Sequence, residues 1–94
     1  MENKLAELKK EIETIDEEVL VLLEKRIKLG TKFEAMRRSV LSVNVRESEN
    51  QKRLDRICVI GRMHGLDYYF VLAVFYTIFQ CCRQRSMYYD IEDD

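Results

Sequence analysis

The chain has no proline, no tryptophan and only three glycines in 94 residues, so the usual material of tight turns and strand ends is scarce. That scarcity argues against sandwiches, barrels and most dinucleotide-binding folds, and in favour of helices. One histidine and no Cys-x-x-Cys pair leave no zinc-site spacing, and no metal is expected. There is no glycine-rich phosphate loop, and no Ser-His-Asp set can be assembled. Cys58 stands alone and Cys81 adjoins Cys82, which is not a disulfide framework but the pattern of reduced thiols in a cytoplasmic protein. Neither sign of charge dominates: 16 Lys and Arg face 17 Asp and Glu, a net charge of −1, so no global field attracts nucleic acid or an anionic membrane. No stretch approaches the roughly 20 apolar residues of a membrane span. The N-terminal MENKLAELKK alternates charge with leucine, unlike a secretory signal.

What is present is a long helical periodicity. Leu5, Leu8, Ile12, Ile15, Val19, Leu22, Arg26, Leu29, Phe33 and Met36 follow one another at three, four, three, four, the spacing of one face of a helix about 50 Å long. We expect helix 1 over about 3–38, a loop or frayed turn over 37–46, helix 2 over about 46–63 with its end marked by Gly61 and Gly65, and helix 3 over about 67–89 with Asp67 as its N-cap. The tail YYDIEDD is expected to fray. Nothing else in a chain of this length can cover the whole stripe. The expected fold is therefore all-α, one domain of one long and two shorter helices per chain, with the stripe covered by helices 2 and 3 folded back along it and by a second copy in an intertwined homodimeric bundle.

Arg26 is the anomaly, a guanidinium inside the apolar stripe. It either snorkels to the rim, or pairs with a carboxylate, or forms an anion site within the bundle, because an unpaired buried charge costs several kcal/mol. Lys9 and Arg37 flank the stripe in one column, and Arg37 lies about 16 Å beyond Arg26 along the axis. If two long helices run antiparallel, the partner's Lys9 slides toward that pair and two symmetric cationic pockets result. Such flanking charges also occur simply as solvated helix residues. Glu47, Asn50 and Gln51 open the second helix, and Ser86 continues the Cys82 face of the third.

The run LAELKKEIETIDEEVLVLLEKRIKLG, followed by VRESE, a second helix, HGLD and a third helix, resembles the all-helical chorismate mutases. The resemblance implies three helices per chain, an intertwined homodimer and conversion of chorismate to prephenate by a unimolecular Claisen rearrangement without a cofactor. It implies that Arg26 binds a substrate carboxylate. Lys9 stands where the family usually has an arginine from the partner chain, and Arg37, with Arg38 as an alternative, where it has a lysine at the ether oxygen. Glu47 matches the acidic residue near the ring hydroxyl. Asn50 and Gln51 stand where an arginine and a glutamate are usual, Cys82 replaces a serine, and Ser86 replaces a glutamine that approaches the ether oxygen. The resemblance thus makes Arg37, Gln51 and Ser86 the catalytic set and Lys9, Arg26, Glu47, Asn50 and Cys82 the substrate-binding set. An isochorismate pyruvate-lyase relative and a catalytically silent helical dimer acting as a binding module are the alternative readings.

Overall fold

From Glu2 to Val40 there is one glycine, and the segment is filled with leucine, lysine and glutamate, which are strong helix formers. These residues form α1 (Glu2–Val40), an unbroken helix of 39 residues. The computed structural model describes residues 1–89, in which α1 is followed by α2 (Val43–Met63) and α3 (Tyr68–Ser86), with no strand among the described residues. The last part of the expected frayed tail, 90–94, lies outside the described residues.

The connection expected over 37–46 contracts to Leu41 and Ser42. Leu41 takes an extended backbone and the Ser42 side chain accepts from the Val45 amide. The β-branched residues around it cost only tenths of a kcal/mol each in a helix, and burial of Arg37 anchors the end of α1. At the far end of α2 the turn comes at Gly65, whose φ is +75°. Leu66 donates to the Gly61 carbonyl and Gly65 to that of Arg62, the paired bonds that close a helix over a left-handed residue. Gly61 itself does not end the helix. A β-carbon there would lie 2.8 Å from Val71 Cγ2, so it is the point where α2 and α3 approach closely. Asp67 caps α3 by accepting from the Phe70 amide. Helix α3 stops at Ser86, short of the expected 89, and passes into a turn.

Helices α2 and α3 do not cover the three-four stripe of α1. They pack on the adjoining face, where Gly30, Thr31, Glu34, Ala35 and Arg37 are buried, while Leu22, Leu29, Phe33 and Met36 stay 64, 69, 45 and 49 % exposed. Gly30 decides this choice of face. A β-carbon there would overlap the Arg26 guanidinium and the Cys82 side chain, so only glycine lets α3 come so near. From α3, Val71, Ile78, Cys82 and Ser86 point inward, and α2 contributes Leu54 and Cys58.

The result is a slab of 57 × 31 × 15 Å with a radius of gyration of 17.0 Å, against about 12 Å for a closed globule of this length. Met1 to Leu22 are exposed throughout, about 33 Å of bare helix. The accessible surface of 7923 Å² exceeds by about 2,200 Å² what a monomer of this mass is expected to show. No helix among the described residues is long and apolar enough to cross a membrane.

Candidate functional site

Near the junction of the three helices the structure gathers three guanidinium groups around two phenyl rings. Arg37, on the last turns of α1, is only 5 % exposed. Its Nη2 donates to Asn50 Oδ1 at 3.1 Å and to the Arg46 carbonyl at 3.3 Å, and its Nη1 to Glu49 Oε2 at 3.5 Å. Glu34, 6 % exposed, lies one turn before it with Oε1 3.7 Å from Nη2. Arg53 of α2 is held between Phe33 of α1 and Phe79 of α3, its Cζ 4.9 Å from each ring centroid. Arg37 stacks on Phe33 at 5.1 Å and Arg26 on Phe79 at 5.5 Å. The two rings thus bridge the three cations, each cation over a face where the ring quadrupole is attractive.

Three guanidiniums against Glu34 and Glu49 leave the cluster positive. Burial, reinforced by Arg37 and Arg26, pushes the Arg53 guanidinium below its ordinary value. Two of its donors stay unused: Arg37 Nε and Arg53 Nη1 are buried with no hydrogen-bond acceptor among the described residues. Buried donors without acceptors cost about 1–3 kcal/mol each, and more when charged. The arrangement offers positive charge and directed N–H groups, which suits an anion.

Arg26 is half-buried and reaches α3, where Nη1 lies 3.9 Å from Cys82 Sγ. The Cys82 thiol is oriented toward the Ile27 carbonyl at 3.8 Å, and burial pushes its pKa up against the opposing pull of Arg26. Asn50 is half-buried and bound to Arg37. Ser86 is 3 % exposed, but it belongs to Arg38 rather than Arg37: Arg38 Nη2 donates to Ser86 Oγ at 2.6 Å and to the Arg83 carbonyl at 3.4 Å. Arg38, Glu47 and Asn50 line a cavity of about 410 Å³ with Glu34, Arg46 and Arg83.

Gln51 and Lys9 stand apart within the chain. Gln51 is exposed and its amide donates to Asp55 one turn on. Lys9 is exposed on the bare half of α1, 3.9 Å from Glu13. The sequence model of the family described as chorismate mutase type II matches residues 8–87. The chain belongs to the chorismate mutase type II family. No curated protein and no solved structure shows a significant match to it.

Within this family's fold, sequence reasoning missed two residues of the cluster. Glu34 is buried beside Arg37, and Arg53 is clamped by Phe33 and Phe79. A signal for Arg53 existed: it follows Glu49 by four and Asn50 by three and adjoins Leu54, which puts it on the inner edge of α2. For Glu34, the spacing of three before Arg37 was the cue. Among the described residues no group of His, Cys, Asp and Glu is arranged to hold a metal ion.

Proposed function

We propose that the chain is a chorismate mutase, an isomerase that rearranges chorismate to prephenate. The observation that carries this reading is the cluster of Arg26, Arg37 and Arg53 around Phe33 and Phe79, with buried N–H groups that have no acceptor, in a chain of the chorismate mutase type II family. The substrate is a dianion whose rearrangement needs no nucleophile and no proton transfer. A cationic pocket accelerates it in two ways. Holding both carboxylates selects the compact conformer in which the carbons that bond are close, and a donor at the ether oxygen stabilises the charge that grows as the C–O bond breaks. Arg26 and the guanidiniums beside it serve the first role. Arg38, which lines the cavity with Glu47 and Asn50, is the cation of α1 nearest to serving the second.

The site is completed by a second copy. The uncovered stripe, the bare first half of α1 and an excess surface of about 2,200 Å² agree with the size of an obligate homodimer interface. Antiparallel pairing of the two α1 helices brings the partner copy's lysine at position 9 toward the arginine cluster. The three free thiols suit a reducing cytoplasm, and neither nucleic acid nor membrane is a partner.

The test is the loss of chorismate's ultraviolet absorbance with prephenate identified as product, in the wild-type protein and in Arg26→Ala. Turnover that disappears in the variant while the dimer persists supports the reading; unchanged turnover in Arg26→Ala refutes it. A second reading, binding without turnover, is favoured by one observation: Gln51 is turned to Asp55 and Ser86 is engaged by Arg38, so neither presents a free donor for the ether oxygen. Chorismate affinity with no product would establish it, and pyruvate released from isochorismate would point instead to a lyase.

A further inference from the structure

We infer that Arg53, and not Arg37, is the arginine of this junction that grips a substrate carboxylate, while Arg37 is the anchor that ties α1 to α2. The inference rests on the reading of the site as one for a dicarboxylate. It starts from how differently two neighbouring guanidiniums are engaged. Arg37 is engaged at both terminal nitrogens, Nη1 by Glu49 and Nη2 by Asn50, the Arg46 carbonyl and Glu34, so that among the described residues only its buried Nε lacks an acceptor and no two-point fork is left. A ligand carboxylate would have to displace these partners, and it would face Glu34 and Glu49 as it did so. Arg53 stacks on rings instead. Its Cζ lies 4.9 Å from the centroids of both Phe33 and Phe79, groups that take no N–H hydrogen bond of ordinary strength, and Nη1 is buried with no acceptor among the described residues.

A planar cation packed against two rings and lacking an acceptor at Nη1 keeps its fork of N–H groups for two-point contact with a carboxylate. Its ordering cost is already met by the rings, so the contact converts efficiently into affinity. Phe33 belongs to the uncovered stripe of α1 and is 45 % exposed in the single chain, so the cluster lies where the second copy would close over a bound ligand. Lowering of the Arg53 pKa by burial and by Arg37 and Arg26 agrees with a site short of one negative charge.

The experiment measures binding of a chorismate analogue whose enolpyruvyl double bond is reduced to a lactyl ether, which keeps both carboxylates and cannot rearrange, alongside its monomethyl esters. Wild type, Arg53→Met and Arg53→Lys are compared by calorimetry, with sedimentation and thermal unfolding on each. Arg53→Met is expected to weaken diacid binding roughly 30-fold or more, to reduce the preference for diacid over monoester, and to leave the melting temperature and the oligomeric state in place. Arg53→Lys keeps charge but not the fork and is expected to fall between. If Arg53→Met does not fold, Arg53→Lys decides: weakened binding supports the assignment and unchanged binding overturns it. Wild-type affinity in folded Arg53→Met overturns it, as does a loss of affinity that tracks dissociation of the dimer, which would make Arg53 an interface residue. Failure of the wild type to bind the analogue overturns it as well. A wild type that binds the analogue but does not consume chorismate defeats the mutase reading alone, since the comparison of variants still stands.

Discussion

Replacing Gly30 by alanine should destabilise the protein although it improves the local helix. Alanine in a helix interior is favoured over glycine by about 1 kcal/mol. Against this, the new β-carbon would lie 2.5 Å from Cys82 Sγ and 3.3 Å from Cys82 Cβ, and against the Arg26 guanidinium. The arginine tip can swing away, but Cys82 is 2 % exposed and its sulfur must retreat by about 1 Å, which moves α3 or forces an unfavourable rotamer. Overpacking of this kind costs about 1–3 kcal/mol; with so little room around the sulfur the upper half of that range applies, and the net loss is about 1–2 kcal/mol. For a chain of this size the melting temperature should fall by roughly 5–10 °C. Denaturant unfolding at one fixed protomer concentration measures it, since association adds to apparent stability. The double variant with Cys82→Ala removes the sulfur and should recover at least half of the loss, a coupling that only contacting residues show. A Gly30→Ala protein as stable as the wild type, or a double variant whose costs simply add, would refute the close approach of α1 and α3 at this point.

Other expectations follow from the same geometry. Arg37→Met leaves Glu34, 6 % exposed, without its ion-pair partner and should cost about 3 kcal/mol in urea unfolding; a loss below about 1 kcal/mol would mean that the pair is not a structural anchor. Because burial holds the Cys82 thiol above its ordinary value, the folded state keeps that proton more tightly than the unfolded chain. Its stabilising contribution is present below the ordinary thiol pKa of about 8.5 and is lost as the pH rises through it. The wild type should therefore lose more stability than Cys82→Ala between about pH 8 and 10, and parallel curves would count against the thiol's role. Ile15 is 56 % exposed in one chain, where a charge would cost less than about 0.5 kcal/mol if the protein were a monomer. If the proposed dimer forms through the α1 stripe, Ile15→Lys should instead shift the protein to monomer in sedimentation, with loss of turnover; a variant that sediments as the wild type does would refute pairing through this face.

Legibility in the sequence followed the range of the interactions. The length of α1, the cap at Asp67 and the inward placement of Cys82 and Ser86 depend on neighbours within a turn or two, and spacing reveals them. The loop expected over 37–46 failed because β-branched residues weaken a helix only slightly, while burial of Arg37 against α2, a contact between helices, carries α1 on to Val40. The stripe was read as the face that α2 and α3 would cover; they chose its neighbour because Gly30 admits α3 more closely than any residue of the stripe can. Arg26 was visible as a charge in an apolar pattern. The spacing of Arg53 marked the inner edge of α2, but not its significance, which lies in two rings contributed by two other helices.

The order of apolar and charged residues by itself determined that this protein is helical, that one helix far exceeds the others, and that a cation interrupts its apolar face. Those are consequences of a 3.6-residue period and of local chain stiffness, and both act along the chain. Which face of α1 is buried, that Arg37 of α1 is tied down and that Arg53 of α2 keeps a donor without an acceptor among the described residues were decided only when three helices met. There a single missing β-carbon and two phenyl rings, distant in sequence, set the distances on which the site depends.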